Sequence, residues 1–422
     1  MPYDPREPSF FDPKSVEKEL ARVTELCDGC RRCYRLCPSF DFMLDEAVDK
    51  NDGDISKITA SDYRKIVDLC WQCKLCFNHC PYTPPHKWDL DFPRLMLRAK
   101  AARVRAEGIP LQDRFLGNVD LVGAIGSATA PLSNWANSFA PARAAMEAFI
   151  GIDRKRNLPR FHHKTFARWF RERGGGRVEQ GRKVAFFFSC SVNYNEPQLG
   201  RDAVSVLERN GCSLTCPEQV CCGMPFLDAG DILAATRNAR KNVAALLPLV
   251  EQGADVVVPQ PTCSYVLKKD YPMLAPGPET EAVAAKTQDL FEYLANRQRE
   301  GSLALEFPGT PPGKVAYQMP CHLRAQNMGF KTRDVLNLIP GTEVHVVEKC
   351  TAMDGTWAMK KEYYPLSLGY ARKAVAEMEQ AKPAVFATDC TLSALQIEAV
   401  RGERPAHPIT LLREAYGLPE ER

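Results

Sequence analysis

The 422-residue chain is poor in several things, and each shortage removes a class of function. Histidine occurs only 7 times, too rarely for His-rich zinc or copper chemistry. No run reaches the roughly 18 apolar residues that a membrane-spanning helix takes. The opening Met1-Pro-Tyr-Asp-Pro-Arg6 carries no apolar stretch, so no secretory leader is expected. Neither charge sign dominates: 55 Lys and Arg stand against 52 Asp and Glu, a formal net charge of +3. Electrostatics therefore gives no case for binding nucleic acid. No G-x-G-x-x-G follows a strand-like run and no P-loop is present, so neither flavin nor nicotinamide is expected on this chain. The length suffices for two or three domains with apolar cores.

What the chain has is cysteine, 17 residues of it. Disulfide scaffolds belong to oxidising compartments and to short chains that lack a core. In a long chain without a leader, cysteine points to metal. Soft thiolates select zinc, copper(I) or iron–sulfur clusters, and spacing decides between them.

Eight cysteines fall in two copies of one pattern. The first is Cys27-Asp-Gly-Cys30-Arg-Arg-Cys33-Tyr-Arg-Leu-Cys37-Pro38. The second is Cys70-Trp-Gln-Cys73-Lys-Leu-Cys76-Phe-Asn-His-Cys80-Pro81. Both read C-x2-C-x2-C-x3-C-P, the bacterial ferredoxin run, in which the fourth cysteine serves the other cluster. The expected ligand sets are crossed. One [4Fe–4S] cluster takes Cys27, Cys30, Cys33 and Cys80; the other takes Cys70, Cys73, Cys76 and Cys37. Two structural zinc knots are the competing reading, but zinc pairs C-x2-C units with four ligands per site.

The flanks read as helices. Val16, Leu20 and Val23 share one face. Either Asp12 caps this helix with Pro13 in its first turn, or Ser15 caps it. Ser61 reads as the cap of a second helix leading into Cys70. About 32 residues separate the motifs, so an α-helical ferredoxin module is expected.

Residues 98–180 contain no cysteine, and Leu121 to Ile150 is dominated by small and apolar residues. Asp120, Pro131 and Asn134 interrupt it, so it does not span a membrane. Two readings stand: a pair of helices packed on the clusters, or a surface element touching a membrane, a quinone or a partner subunit. Arg171-Glu-Arg-Gly-Gly-Gly176-Arg then reads as a flexible linker with a domain boundary near 180.

Beyond it the chain repeats itself at about 130 residues. Lys183-Val-Ala-Phe-Phe-Phe-Ser-Cys190 matches Lys314-Val-Ala-Tyr-Gln-Met-Pro-Cys321. Val256 to Cys263 matches Ala384 to Cys390. The runs before these cysteines read as buried strands, and they alternate with amphipathic stretches such as Ile232–Val250 and Tyr364–Gln380. Thiolates at the carboxyl ends of parallel strands converge in a crevice. Cys190 pairs with Cys321, Cys221 with Cys350, and Cys263 with Cys390; the first half adds Cys222, where the second has Thr351. Four thiolates suffice for a [4Fe–4S] cluster. Three leave one iron without a cysteine, allow a three-iron cluster, or mark a lost site. Cys212 and Cys216 match no repeat position.

These motifs, with Cys221-Cys-Gly-Met-Pro225, Pro320-Cys-His322, Gly355-Thr-Trp357 and His407-Pro-Ile-Thr410, resemble a known family. It is that of fused HdrC- and HdrB-like, CCG-domain iron–sulfur proteins related to heterodisulfide reductase. The C subunits of anaerobic glycerol-3-phosphate dehydrogenases belong to it. The resemblance implies an electron-carrying subunit that links a flavoprotein dehydrogenase to quinone or another acceptor. It implies a cytoplasmic location, or a peripheral one on the cytoplasmic face of the inner membrane. The chain departs from the family at Cys350-Thr351-Ala352, where the second Cys-Cys-Gly is expected, and at Cys390-Thr-Leu-Ser393, where the family has C-x2-C.

The expected architecture is multidomain. Residues 1–100 form an α-helical ferredoxin domain with two [4Fe–4S] motifs, and 101–180 a helical connection and linker. Residues 181–305 form a first α/β CCG domain with a parallel sheet and a further [4Fe–4S] cluster on Cys190, Cys221, Cys222 and Cys263. Residues 306–422 form a second, degenerate one carrying Cys321, Cys350 and Cys390. The preferred function is an iron–sulfur electron-transfer subunit; no catalytic residue is assigned. The rivals are a self-contained heterodisulfide-reductase-like enzyme acting at the CCG cluster and a zinc-stabilised interaction protein.

Overall fold

A computed structural model describes residues 3–421 of the chain. The N-terminal part is helical. Asp12 caps the Pro13–Cys30 helix by accepting from Ser15 N at 2.8 Å, with Pro13 in the first turn. Of the two starts the sequence allows, Asp12 is therefore the one used. Val16, Leu20 and Val23 point inward onto Met43, Leu44, Ile66 and Leu95. The second helix, Ala60–Asp68, starts earlier than expected. Thr59 is its cap: its hydroxyl accepts from Asp62 N at 3.2 Å, and the Asp62 carboxylate accepts from Thr59 N at 2.9 Å. Ser61 instead sits in the first turn, because only Thr59 has an acid three residues on.

A long helix, Phe92–Glu107, closes this unit and carries the buried cations Arg98 and Lys100. The segment after it forms four short helices: Leu111–Gly117, Val119–Ala128, Ala130–Ser138 and Ala140–Phe149. Pro131 and Pro141 lie in first turns, where a missing N–H costs nothing, so they start helices rather than merely interrupt one. Gly123 explains how the Val119–Ala128 helix docks. A Cβ there would lie 2.3 Å from the Tyr194 ring. The opposite face leaves Leu121 and Ile125 exposed.

The glycine run 174–176 is a packed turn rather than a free linker. Gly174 and Gly175 take φ of +84° and +91°, and a Cβ on Gly176 would meet Leu214 O at 2.7 Å. The Phe166–Glu172 helix before it buries Phe166, Trp169 and Phe170 in the α/β core.

Two small parallel sheets follow. The first holds β1 (Arg182–Phe186), β2 (Cys212–Thr215), β3 (Asp255–Val258) and β4 (Thr287–Asp289), in the order β2-β1-β3-β4. The second holds β5 (Lys314–Gln318), β6 (Glu343–Val347) and β7 (Val385–Ala387), in the order β6-β5-β7. A single parallel bridge, Ala387 to Ala406, stands where a β4 counterpart would extend it. All four residues of β3 are buried, as helix-covered parallel strands demand. One apolar core runs through both halves, joining Val184, Phe186 and Val257 to Val315, Tyr317 and Leu412. No helix among the described residues is long and apolar enough to cross a membrane.

Candidate metal centres and an adjoining cavity

The N-terminal thiols fall into two groups. Cys27 and Cys30 end the first helix, Cys33 follows in the loop, and Cys80 comes after the Leu75–His79 helix. These four line one pocket with Phe40, Tyr82 and Leu90. Cys37, Cys70, Cys73 and Cys76 line a second pocket, also walled by Phe40. The chain thus brings each triplet together with the fourth cysteine of the other motif. Gln72 and Lys74 take left-handed φ of +54° and +65°, which lets the loop between Cys70 and Cys76 curl round its pocket. Gln72 Nε2 donates to Cys70 Sγ at 3.5 Å, and Tyr82 N to Cys80 Sγ at 3.4 Å.

Burial, and next the neighbouring thiols, push Cys33 and Cys73 up to about 12. Thiolates massed like this are stable only against a strong local cation, which an iron cluster provides. The donor sets are all sulfur. Among the described residues, no three His, Cys, Asp or Glu side chains converge to hold a single metal ion.

The first α/β half gathers Cys190, Cys221, Cys222 and Cys263. Cys190 starts a short helix beyond β1, and Cys263 lies in the Pro261–Tyr265 helix beyond β3. Cys221 and Cys222 precede Gly223, which takes a φ of +98°. The four thiols adjoin one another in the order Cys190, Cys221, Cys222, Cys263, each within reach of the next one's charge. Asp120, from the middle helices, accepts from Cys221 N at 2.7 Å. Nothing in the sequence pairs those two residues.

The second half places Cys321, Cys350 and Cys390 just beyond β5, β6 and β7. Thr351 and Ser393 occupy the two positions without cysteine, and their buried hydroxyls bond each other at 2.9 Å. Ala352 holds a left-handed φ of +49°, as Gly223 does in the first half. Trp71, from the ferredoxin-like unit, packs against Ala352, Met353 and Trp357, its ring 5.0 Å from that of Trp357. Cys321 and Cys350 lie close enough to Cys73 for their charges to be felt. Cys212 and Cys216 stand apart from every group; Cys212 Sγ packs 3.4 Å from Tyr293 Oη.

A cavity of about 480 Å³ adjoins the first-half thiols. Val122, Ile125, Ile150, Leu158 and Phe161 supply an apolar wall, and Cys190, Cys222 and Cys263 part of its floor. Such volume and lining suit a small organic molecule. One corner is polar, formed by Asp228, Asp354 and Thr356. Behind it Lys100 Nζ donates to Asp228 Oδ1 at 3.1 Å and to Cys70 O at 3.0 Å. Burial opposes ionisation of Asp228, yet Lys100 and Thr356 hold it below the usual carboxylate range. Burial, and next the charge of Asp228, push the Asp354 carboxyl well up. Beside the cavity, Leu121, Leu132, Trp135 and Phe149 are exposed at 53–87%.

Comparison with known proteins agrees with this layout. Residues 19–107 match the Citrate utilization protein B Fer4-like domain, and residues 184–268 and 315–398 each match the CCG cysteine-rich domain. The C subunit of the anaerobic glycerol-3-phosphate dehydrogenase of Escherichia coli is 32% identical over 309 residues, covering 72% of this chain and 77% of the relative. The B subunit of the fumarate reductase (CoM/CoB) of Methanothermobacter marburgensis is 32% identical over 205 residues, or 47% of this chain and 38% of the relative. Lactate utilization protein A of Geobacillus thermodenitrificans is 27% identical over 214 residues, covering 47% of this chain and 83% of the relative. The chain belongs to the family of iron–sulfur proteins that join a Fer4-like domain to CCG cysteine-rich domains, the family that includes the C subunit of anaerobic glycerol-3-phosphate dehydrogenase.

Proposed function

We propose that the chain is the electron-carrying subunit of an oxidoreductase complex. It takes electrons from a flavoprotein dehydrogenase or another redox subunit and passes them to a quinone-class acceptor in the apolar cavity. The observation that carries this reading is the continuous series of thiols. The Cys27 group adjoins the Cys37 group through Cys33 and Cys76. Cys73 then adjoins Cys350, and Cys390 adjoins Cys263 at the cavity.

Clusters bound there would supply one-electron steps, at potentials set by burial and hydrogen bonds to sulfur. Cys27, Cys30, Cys33 and Cys80 would hold one [4Fe–4S] cluster, and Cys37, Cys70, Cys73 and Cys76 the next. Cys190, Cys221, Cys222 and Cys263 would hold a third. The chain's own donors on Cys70, Cys80 and Cys221 sulfur favour the reduced, more negative state. Thiols ranged round pockets, rather than converging on one point, favour clusters over zinc knots. Relatives named as subunits of a dehydrogenase and a reductase favour a redox partner. The exposed Leu121, Leu132, Trp135 and Phe149 favour peripheral seating on a membrane face beside the cavity.

The test is anaerobic capture of the native complex, with iron analysis and electron paramagnetic resonance on the same sample. About twelve iron atoms per chain and a copurifying flavoprotein are expected. A colourless, zinc-loaded protein prepared without oxygen overturns the reading.

A further inference from the structure

The polar corner of the cavity holds an acid whose surroundings define its state; its role rests on the acceptor reading above. Asp354 Oδ1 accepts from Thr356 N at 3.1 Å and from Ala358 N at 3.0 Å. Its Oδ2 is buried with no donor to accept from. Asp228 faces it, with both oxygens already engaged: Oδ1 by Lys100 at 3.1 Å, Oδ2 by the Thr356 hydroxyl. Two adjacent buried carboxyls do not both ionise. An oxygen without a donor is satisfied when it carries a proton and donates it, here to Asp228. Lys100, 5% exposed, fixes the choice: it pairs with Asp228, so the proton resides on Asp354. Arg156 and Cys350 are the other charged or titratable groups whose fields reach Asp354. A neutral acid therefore stands at the polar corner of a largely apolar cavity.

We propose that Asp354 is the proton donor to the molecule reduced in this cavity. Reduction of a quinone to its hydroquinone takes two electrons and two protons. The electrons come from the reduced partner through the chain. One proton leaves the Asp354 carboxyl, which gives up its bond to Asp228 as the O–H bond of the acid breaks and an O–H bond forms on a quinone oxygen. The second proton comes from water, which also reprotonates Asp354 after product leaves. Lys100 offsets the extra negative charge that the Asp228–Asp354 pair carries in between.

The test compares wild type, Asp354→Asn and Asp354→Glu as iron-loaded protein, purified anaerobically and reduced with dithionite. Asn keeps both accepting bonds and donates its amide to Asp228, so folding is preserved while the transferable proton is lost. Each protein is offered a water-soluble menaquinone analogue, which needs protons, and ferricenium, which does not. Asp354→Asn is expected to slow quinone reduction about a hundredfold and leave ferricenium reduction unchanged. Asp354→Glu should recover part of the quinone rate. The infrared carbonyl absorption of protonated carboxylic acid should be weaker in Asp354→Asn than in wild type, with the share of Asp289 remaining. Wild type that reduces quinone, with Asp354→Asn unimpaired or the acid band unaltered, overturns the inference alone. Wild type that reduces ferricenium but no quinone overturns the acceptor reading and the inference together.

Discussion

The two α/β halves set their cysteines at the same strand ends, yet only the first presents four thiols. The second shares the backbone turn of the first without its fourth thiol. Ala352 keeps the left-handed turn that Gly223 makes in the first half, although a side chain there strains it. The positions that lack cysteine are not left as unsatisfied polar groups, because Thr351 and Ser393 bond each other. Trp71 packs over the remainder from the ferredoxin-like unit. The second half thus packs between the N-terminal pockets and the first-half thiols. The first half keeps its thiols beside an open cavity.

The largest expected effect separates the halves directly. Cys222→Ser should remove about four iron atoms per chain and abolish electron delivery to the cavity. Cys350→Ser should leave the iron content unchanged and slow delivery much less. Equal losses from both, read by iron analysis and stopped-flow, would mean that the second half carries a cluster of its own. Restoring the ligands sharpens the point. Thr351→Cys with Ser393→Cys and Ala352→Gly should add about four iron atoms per chain if two thiolates are all that is missing. No gain would show that Trp71, not ligand loss, closes the site.

The ferredoxin cysteines are legible in the sequence because their information is local: triplets spaced by three and a proline after the fourth. The strand-end cysteines are legible because apolar runs precede them at matching intervals. The cap at Thr59 is not, because Ser61 is as good a cap in isolation; the acid at Asp62 is what selects Thr59. The four helices of the middle segment read as two, since Pro131 looks like a breaker until its first-turn position is known. The cavity leaves no trace in the sequence. Lys100, Asp228 and Asp354 come from distant segments, and nothing in the spacing of three ordinary charged residues announces that they meet. Asp120, which holds the Cys221 backbone, reads in the sequence only as an interruption in an apolar stretch.

Packing gives a smaller, purely structural contrast. Trp71→Ala should cost about 3–5 kcal/mol, because the ring is buried among Ala352, Met353 and Trp357. Urea unfolding checks it. Trp135→Ala, on the exposed middle helices, should change stability by about 0.5 kcal/mol or less.

A further contrast distinguishes the halves by pH. After its sheet, each half starts a helix on a buried cap: Asp289 for Leu290–Arg299, His407 for Pro408–Ala415. Burial, and next the charge of Asp389, push the Asp289 carboxyl up to about 8. Native Asp289 therefore holds a proton that the unfolded chain has released, and its contribution to stability falls as pH rises from about 4 to 8. Burial pushes His407 down to about 3, with Nδ1 accepting from Ile409 N at 3.1 Å. Native His407 stays neutral where the unfolded chain binds a proton, so its contribution falls as pH drops from about 6.5 to 3. Each slope is at most about 1.4 kcal/mol per pH unit, and between pH 4 and 6.5 the two oppose each other. Relative to wild type, Asp289→Asn should therefore gain stability with rising pH up to about 8, and His407→Asn should gain it with falling pH down to about 3. Both replacements keep an acceptor for the helix N-terminus. Urea midpoints from pH 4 to 8 decide it, since slopes of the same sign for both variants would mean that the two caps do not titrate in opposite directions.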